Sequence, residues 1–226
     1  MNRKNFLKKS VFGLGSIVAL PAIMTSCNDQ TVEEEGNCIV SPAETKGPFP
    51  IKTPSELVRE NIISDRTGVA LLIEFTINDS ENNCAPMTGV YVDIWHCDAD
   101  GNYSEYGGTQ MQNANYTSQH FLRGRQLTNN EGKASFISIF PGWYPGRAPH
   151  IHLEILSSSG KSLLVSQIAF PAEVCNAVYS TSSYNGPADT SNSRDNVFAD
   201  SLDDNMADEV SGNTTDGFTL KKLIVV

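Results

Sequence analysis

Apolar and polar positions alternate in short runs along most of the chain. In residues 88–96 (TGVYVDIWH), Val90, Val92 and Ile94 fall on one face and Tyr91, Asp93 and Trp95 on the other, the period of two that a β-strand requires. Residues 150–156 (HIHLEIL) alternate as cleanly, with Ile151, Leu153 and Ile155 opposite His150 and His152. Residues 68–79, 133–140, 162–170 and 218–226 are further β-rich runs. A Ser-Gly turn before the 162–170 run predicts a hairpin, and Pro141-Gly142 stops the 133–140 run. Residues 54–61 (PSELVREN) predict a short helix, and residues 179–217, rich in Ser, Asn and Asp, read as long loops. Many strands with few helical patterns predict an all-β fold, an antiparallel β-sandwich core with long loops and little helix, spanning residues 41–226.

The N-terminus follows a different logic. Arg3, Lys4, Lys8 and Lys9 precede an apolar run over residues 11–24, with no acid in the first 26 residues. That is the layout of an export signal, and the run is short for a membrane span. Thr25-Ser26-Cys27 resembles a bacterial lipoprotein box, in which Cys27 would carry the lipid. RKNFLK (residues 3–8) resembles a twin-arginine export signal with Lys in place of the second Arg. The expected partition is an export signal over residues 1–26, an acidic tether over 27–40 and the domain beyond. It implies an exported protein held by a lipid anchor, facing the periplasm or cell surface, with no other contact with the membrane.

Composition narrows the partners. Of 226 residues, 39% are hydrophobic and 19% charged, which suits a globular domain. Lys and Arg number 16 against 26 Asp and Glu, a net charge of −10, so the basic footprint of a nucleic-acid binder is absent. Beyond Cys27 the chain holds Cys38, Cys84, Cys97 and Cys175. An even count in an exported protein predicts two disulfides, with three pairings open. No CxxC spacing points to a thiolate zinc site.

The chain has four histidines, and two of them form His150-Ile151-His152 on a predicted strand. Residues i and i+2 share a face about 7 Å apart, so both imidazoles can converge on one ion. Pro145, Gly146 and Pro149 force a turn that can fold Tyr144 back toward them, and a DADG turn (residues 98–101) places Tyr103 at the end of another strand. Two tyrosines and two histidines make an N2O2 set, and a phenolate is a hard oxygen donor suited to ferric iron. Ionising a tyrosine at pH 7 costs about 4 kcal/mol before metal attraction, which a trivalent ion can offset.

Taken together, SPAETKGPFPI (41–51), VDIWHCDADGNYS (92–104), FLRGRQLTNNEGKASF (121–136), PGWYPGRAPHIH (141–152) and VSQIAF (165–170) resemble the intradiol ring-cleavage dioxygenases, typified by catechol 1,2-dioxygenase and protocatechuate 3,4-dioxygenase. The chain is most similar to their exported, short-looped relatives. The resemblance implies a β-sandwich enzyme that uses Fe(III) and O2 to cleave a catechol-type aromatic between its hydroxyl-bearing carbons, giving a cis,cis-muconate-type product. It makes Tyr103 and His150 equatorial ligands, and Tyr144 and His152 axial ones. Tyr144 would leave the metal as substrate binds and act as a base. Arg147 would stabilise charge developing on the substrate ring, Gln167 would sit beside the oxygen-binding pocket, and Pro48 would line the substrate entrance. Two departures stand out: Lys46 replaces an acidic residue before the GP motif, and only five residues separate Tyr144 from His150. A rival reading keeps iron and catechol binding without turnover, as an exported capture module.

Other residues take plainer readings. His96, Arg123 and Arg125 read as structural, Trp95 and Trp143 as packing, and His120 as solvated. Asp189, Asp195 and Asp203-Asp204 read as acids of a solvated loop. Tyr106 competes with Tyr103 for the ligand role.

Overall fold

The computed structural model describes residues 38–226. The expected export signal, the Cys27 lipidation site and most of the tether lie outside those residues. Among the described residues, no helix is long and apolar enough to cross a membrane.

Among the described residues, nine strands form two sheets. β1 (Ala70–Asp79) is central to the first, pairing antiparallel with β5 (Lys133–Ile139) and, at its end, with the two-residue β2 (Ala85–Pro86). Its other edge pairs with β9 (Gly217–Val225), which in turn pairs with β8 (Glu209–Asn213). The second sheet has the order β4 (Arg123–Leu127), β3 (Tyr91–Trp95), β6 (His150–Leu156), β7 (Ser162–Ala169). All pairs are antiparallel except β1 with β9, which is parallel. The sandwich is therefore mixed at one seam, where the chain returns after a long excursion and lays its last strand beside its first.

Strand alternation builds the core. Leu71, Ile73, Phe75 and Ile77 of β1 pack with Leu220 and Ile224 of β9 against Val92 and Ile94 of β3 and Ile151, Leu153 and Ile155 of β6. The opposite face of the second sheet is also covered, so every residue of β6 is buried. Its cover is the 41–53 segment and the loop between β3 and β4. Ser41 N donates to Val225 O and Glu44 N to Val165 O, which ties the first described residues across both sheets. Between that cover and the sheet lies a second, smaller cluster of Phe49, Trp95, Cys97, Tyr103 and Tyr144.

Three expectations change. Residues 54–61 form only a 3-10 turn at Pro54–Glu56. Beyond it the backbone bonds to β4 and β5 instead, with Arg125 N donating to Leu57 O, Arg59 N to Arg125 O and Ile137 N to Glu60 O. The 179–217 region is not all loop: α2 (Leu202–Asn205) and β8 lie in it, and Tyr184, Asp195, Phe198 and Asn205 are buried. A helix the sequence reading did not predict, α1 (Ala172–Tyr179), follows Pro171 and buries Cys175, Val178 and Tyr179. Only one disulfide forms among the described residues, Cys38–Cys84. Cys97 and Cys175 are free thiols buried in different hydrophobic clusters.

Candidate active site

The outer face of the second sheet presents His150 and His152 from β6, Trp95 from β3 and Gln167 from β7. Register fixes their neighbours: His152 lies opposite Trp95 on one side and Gln167 on the other. The indole of Trp95 stacks on the His152 ring with centroids 5.0 Å apart and planes 2° from parallel. Gly47 meets the same imidazole so closely that an added Cβ would stand 2.8 Å from Cε1. Gly47 also has φ +66°, a conformation that glycine tolerates best.

The two tyrosines arrive on loops that are tied together. The Asp98 side chain accepts from Asp100 N and Asn102 N, closing the DADG turn. Asp98 O accepts from Gly142 N, and Gly101 (φ +87°) packs where a Cβ would meet Trp143 O. The turn that launches Tyr103 thereby rests on the segment that carries Tyr144. The Gln112 amide then brackets Tyr103, accepting from its N at 2.7 Å and donating to its O at 2.8 Å.

The four rings meet. Tyr103 is 5.8 Å from Tyr144 and 6.2 Å from His152, Tyr144 is 5.8 Å from His150, and the imidazoles are 4.7 Å apart, all between centroids. The His150 and His152 Nε2 atoms face each other at 3.1 Å. His150 Nδ1 lies 2.6 Å from Ala148 O; assigned as the donor there, it leaves Nε2 with its lone pair free for a metal. Tyr103 Oη is buried with no hydrogen-bond partner, while Tyr106 Oη donates to Pro50 O at 2.8 Å. That contrast separates the two tyrosines: Tyr103 is the one turned toward the histidines.

Electrostatics keep this cluster neutral. Burial raises the Tyr103 phenol well above its ordinary range. It raises Tyr144 too, although the Arg147 guanidinium opposes the shift. Burial, then Arg147, lowers His150; burial, then His150, lowers His152. Two neutral imidazoles and two phenols with an unsatisfied hydroxyl are a donor set short of a cation, and a buried polar atom left unpaired calls for such an explanation. The residues therefore fit a hard, highly charged metal ion. Among the described residues, no group of three or more His, Cys, Asp or Glu is placed to hold one, so such an ion would need the phenols as well.

Arg147 borders the set. Its Nη1 lies 3.3 Å from Tyr144 Oη, its Nη2 donates to Gln167 Oε1 and its Nε to Asp195 Oδ2 at 2.8 Å. Gln167 Nε2 in turn donates to Thr45 O at 2.8 Å. Pro48 is exposed, whereas its neighbours Gly47 and Phe49 make the contacts, Phe49 stacking on Tyr103 at 4.6 Å. Lys46 pairs with Glu154 at 2.6 Å, so its charge is answered on the sheet.

Two plainer readings need correction. Asp195 is fully buried beneath Arg147 rather than solvated. His120 is partly exposed but held, with Nδ1 2.8 Å from the buried Glu105 carboxylate. Others hold. His96 is buried between Cys97 O and Ser138 Oγ, away from the ligand set. Arg125 pairs with Asp93 at 2.6 Å, and Arg123 donates to Ser104 and to Phe49 O. Trp95 was read only as a packing residue; its register opposite His152 was the missing signal.

Residues 46–184 match a protein-family model described as Dioxygenase. Over 120 residues the chain is 28% identical to a chlorocatechol 1,2-dioxygenase of Rhodococcus opacus, covering 45% of this chain and 44% of that one. Over 95 residues it is 30% identical to the protocatechuate 3,4-dioxygenase beta chain of Burkholderia cepacia, covering 39% and 40%. The matched stretch thus spans less than half of either curated relative. A solved structure of an intradiol ring-cleavage dioxygenase from Tetranychus urticae superposes with a TM-score of 0.74 at 29% identity, covering 83% of this chain and 94% of that one.

Proposed function

The chain belongs to the intradiol ring-cleavage dioxygenase family, and from that premise we propose that it is an oxidoreductase that opens a catechol-type ring between its hydroxyl-bearing carbons with O2. The product would be of the cis,cis-muconate type. The observation that carries this reading is the convergence of Tyr103, Tyr144, His150 and His152 in one buried, uncharged cluster. These four would hold ferric iron, which when bound supplies the trivalent charge that stabilises both phenolates and makes a chelated catechol reactive toward O2.

The protein's own part is binding, orientation and charge. Tyr144, the less buried of the two tyrosines, would be the oxygen that accepts a catechol proton as substrate binds. Arg147, 3.3 Å from that oxygen, stabilises negative charge spreading over the ring. Gln167, held between Arg147 and Thr45 O, borders the oxygen side. Phe49 and Trp95 back the ligand rings and exclude water. Pro48 stands exposed at the rim, where substrate would enter. An iron-and-catechol capture module would need neither Arg147 nor Gln167, and their engagement with the site favours turnover.

The N-terminal segment supports export and a lipid at Cys27, with the domain facing the periplasm or cell surface.

Oxygen uptake over a panel of catechols, with 18O2 and product analysis, tests the activity. A ring-opened dicarboxylate carrying both oxygen atoms is the expected result; ferric protein that binds catechols without consuming oxygen would make it a capture module.

A further inference from the structure

We propose that Asp195 is a positioning residue of this site, one carboxylate that fixes both the Arg147 guanidinium and the backbone that orients His150. Its Oδ2 accepts from Arg147 Nε and from Ala148 N, each at 2.8 Å. The carbonyl of that same Ala148 meets His150 Nδ1 at 2.6 Å. Oδ1 accepts from Val197 N at 2.9 Å, which anchors the carboxylate to its own loop. Asp195 is fully buried, and Phe198, three residues on, packs against both His150 and the Arg147 guanidinium.

The geometry says what the carboxylate does. A guanidinium is a planar fork, and Asp195 holds its Nε edge. That leaves Nη1 for Tyr144 and Nη2 for Gln167. Without this partner the plane is free to turn, and neither contact is fixed. The loop that delivers Asp195 lies beyond the residues matched by the family model, so this support is supplied by a part of the chain outside the matched stretch. The effect on turnover rests on the role given to Arg147 above; the placement of Arg147 and His150 does not.

The test has two arms. In metal-free wild-type protein, the Arg147 Nε proton should give a slowly exchanging resonance in 1H–15N spectra, and Asp195→Asn should lose that protection. A rapidly exchanging Nε proton in the folded wild type overturns the proposal, whatever the chain catalyses. In ferric protein loaded to one iron per chain, Asp195→Asn should keep KM for catechol within about threefold, while kcat falls about 30- to 100-fold, the scale of a misplacement near 1 Å. Asp195→Glu, which keeps the charge and acceptors, should fall between the two and guards against a folding defect in the Asn variant. A purely electrostatic role predicts the opposite sign, because removing a negative charge beside Arg147 strengthens its pull on an anion. An unchanged or higher kcat in folded Asp195→Asn overturns the proposal. If wild type shows no turnover, the dioxygenase reading fails and the exchange arm decides the placement alone.

Discussion

Trp95 and His152 lie face to face across the β3–β6 pair, with centroids 5.0 Å apart and ring planes 2° from parallel. The indole is buried and forms one wall of the slot that holds the imidazole. Trp95→Ala should cost about 3–5 kcal/mol in urea unfolding, the usual cost of emptying a large aromatic from a core. It should also weaken ferric binding, since His152 loses that wall. Trp95→Phe keeps a stacked ring and should retain most of both. Equal iron affinity in the Ala variant would separate the stack from the site.

Gly47 packs against the same imidazole. Gly47→Ala must place a Cβ 2.8 Å from His152 Cε1 and hold φ at +66°. The left-handed backbone alone costs about 1–2 kcal/mol, so the variant should be less stable and should load less iron per chain. Wild-type iron content and melting temperature in Gly47→Ala would show that the 41–53 segment does not pack as described.

His96 gives the metal-free protein an acid sensitivity. Burial lowers its pKa to about 4, below the ordinary 6.5 that the unfolded chain would show. As pH falls, the unfolded state binds this proton first. The stability contribution is therefore whole above pH 6.5 and is lost as pH drops toward 4, on the order of 3 kcal/mol in all. Urea titrations of apoprotein from pH 7.5 to 4.5 should show the decline, and His96→Asn should flatten part of it. Identical slopes in the two proteins would remove His96 as the source.

The thiols divide into two kinds. Cys38 and Cys84 are bonded at a sequence separation of 46, and a loop of that size is worth about 4 kcal/mol in the chain-entropy account. Alkylation after denaturation without reductant should label Cys97 and Cys175 and spare Cys38 and Cys84. Labelling of Cys38 or Cys84 under those conditions would contradict the pairing.

Much of this was legible in the sequence because strand period and hairpin turns are local signals. The alternation in HIHLEIL alone puts His150 and His152 on one face and three aliphatics on the other, as found. What was not legible depends on distant pairing. The parallel β1–β9 seam joins strands far apart in the chain. The 54–61 segment has a helical appearance, yet β4 and β5 take its backbone groups. Two disulfides were expected from an even cysteine count, but Cys97 and Cys175 are buried in separate clusters. Asp195 sits in a stretch whose composition is that of a solvated loop, and only the fold reveals its buried pairing with Arg147. The stacking of Trp95 on His152 required the β3–β6 register, which no local pattern supplies.

If two phenolic oxygens and two imidazole nitrogens of this chain hold a single ferric ion, ferric titration followed by visible absorption will show it, because a phenolate bound to Fe(III) absorbs there and the free components do not. The protein should become coloured and saturate at one iron per chain, with the band reduced and shifted in both Tyr103→Phe and Tyr144→Phe and retained in Tyr106→Phe. A colourless protein that nonetheless carries one tightly held iron would contradict that ligand set.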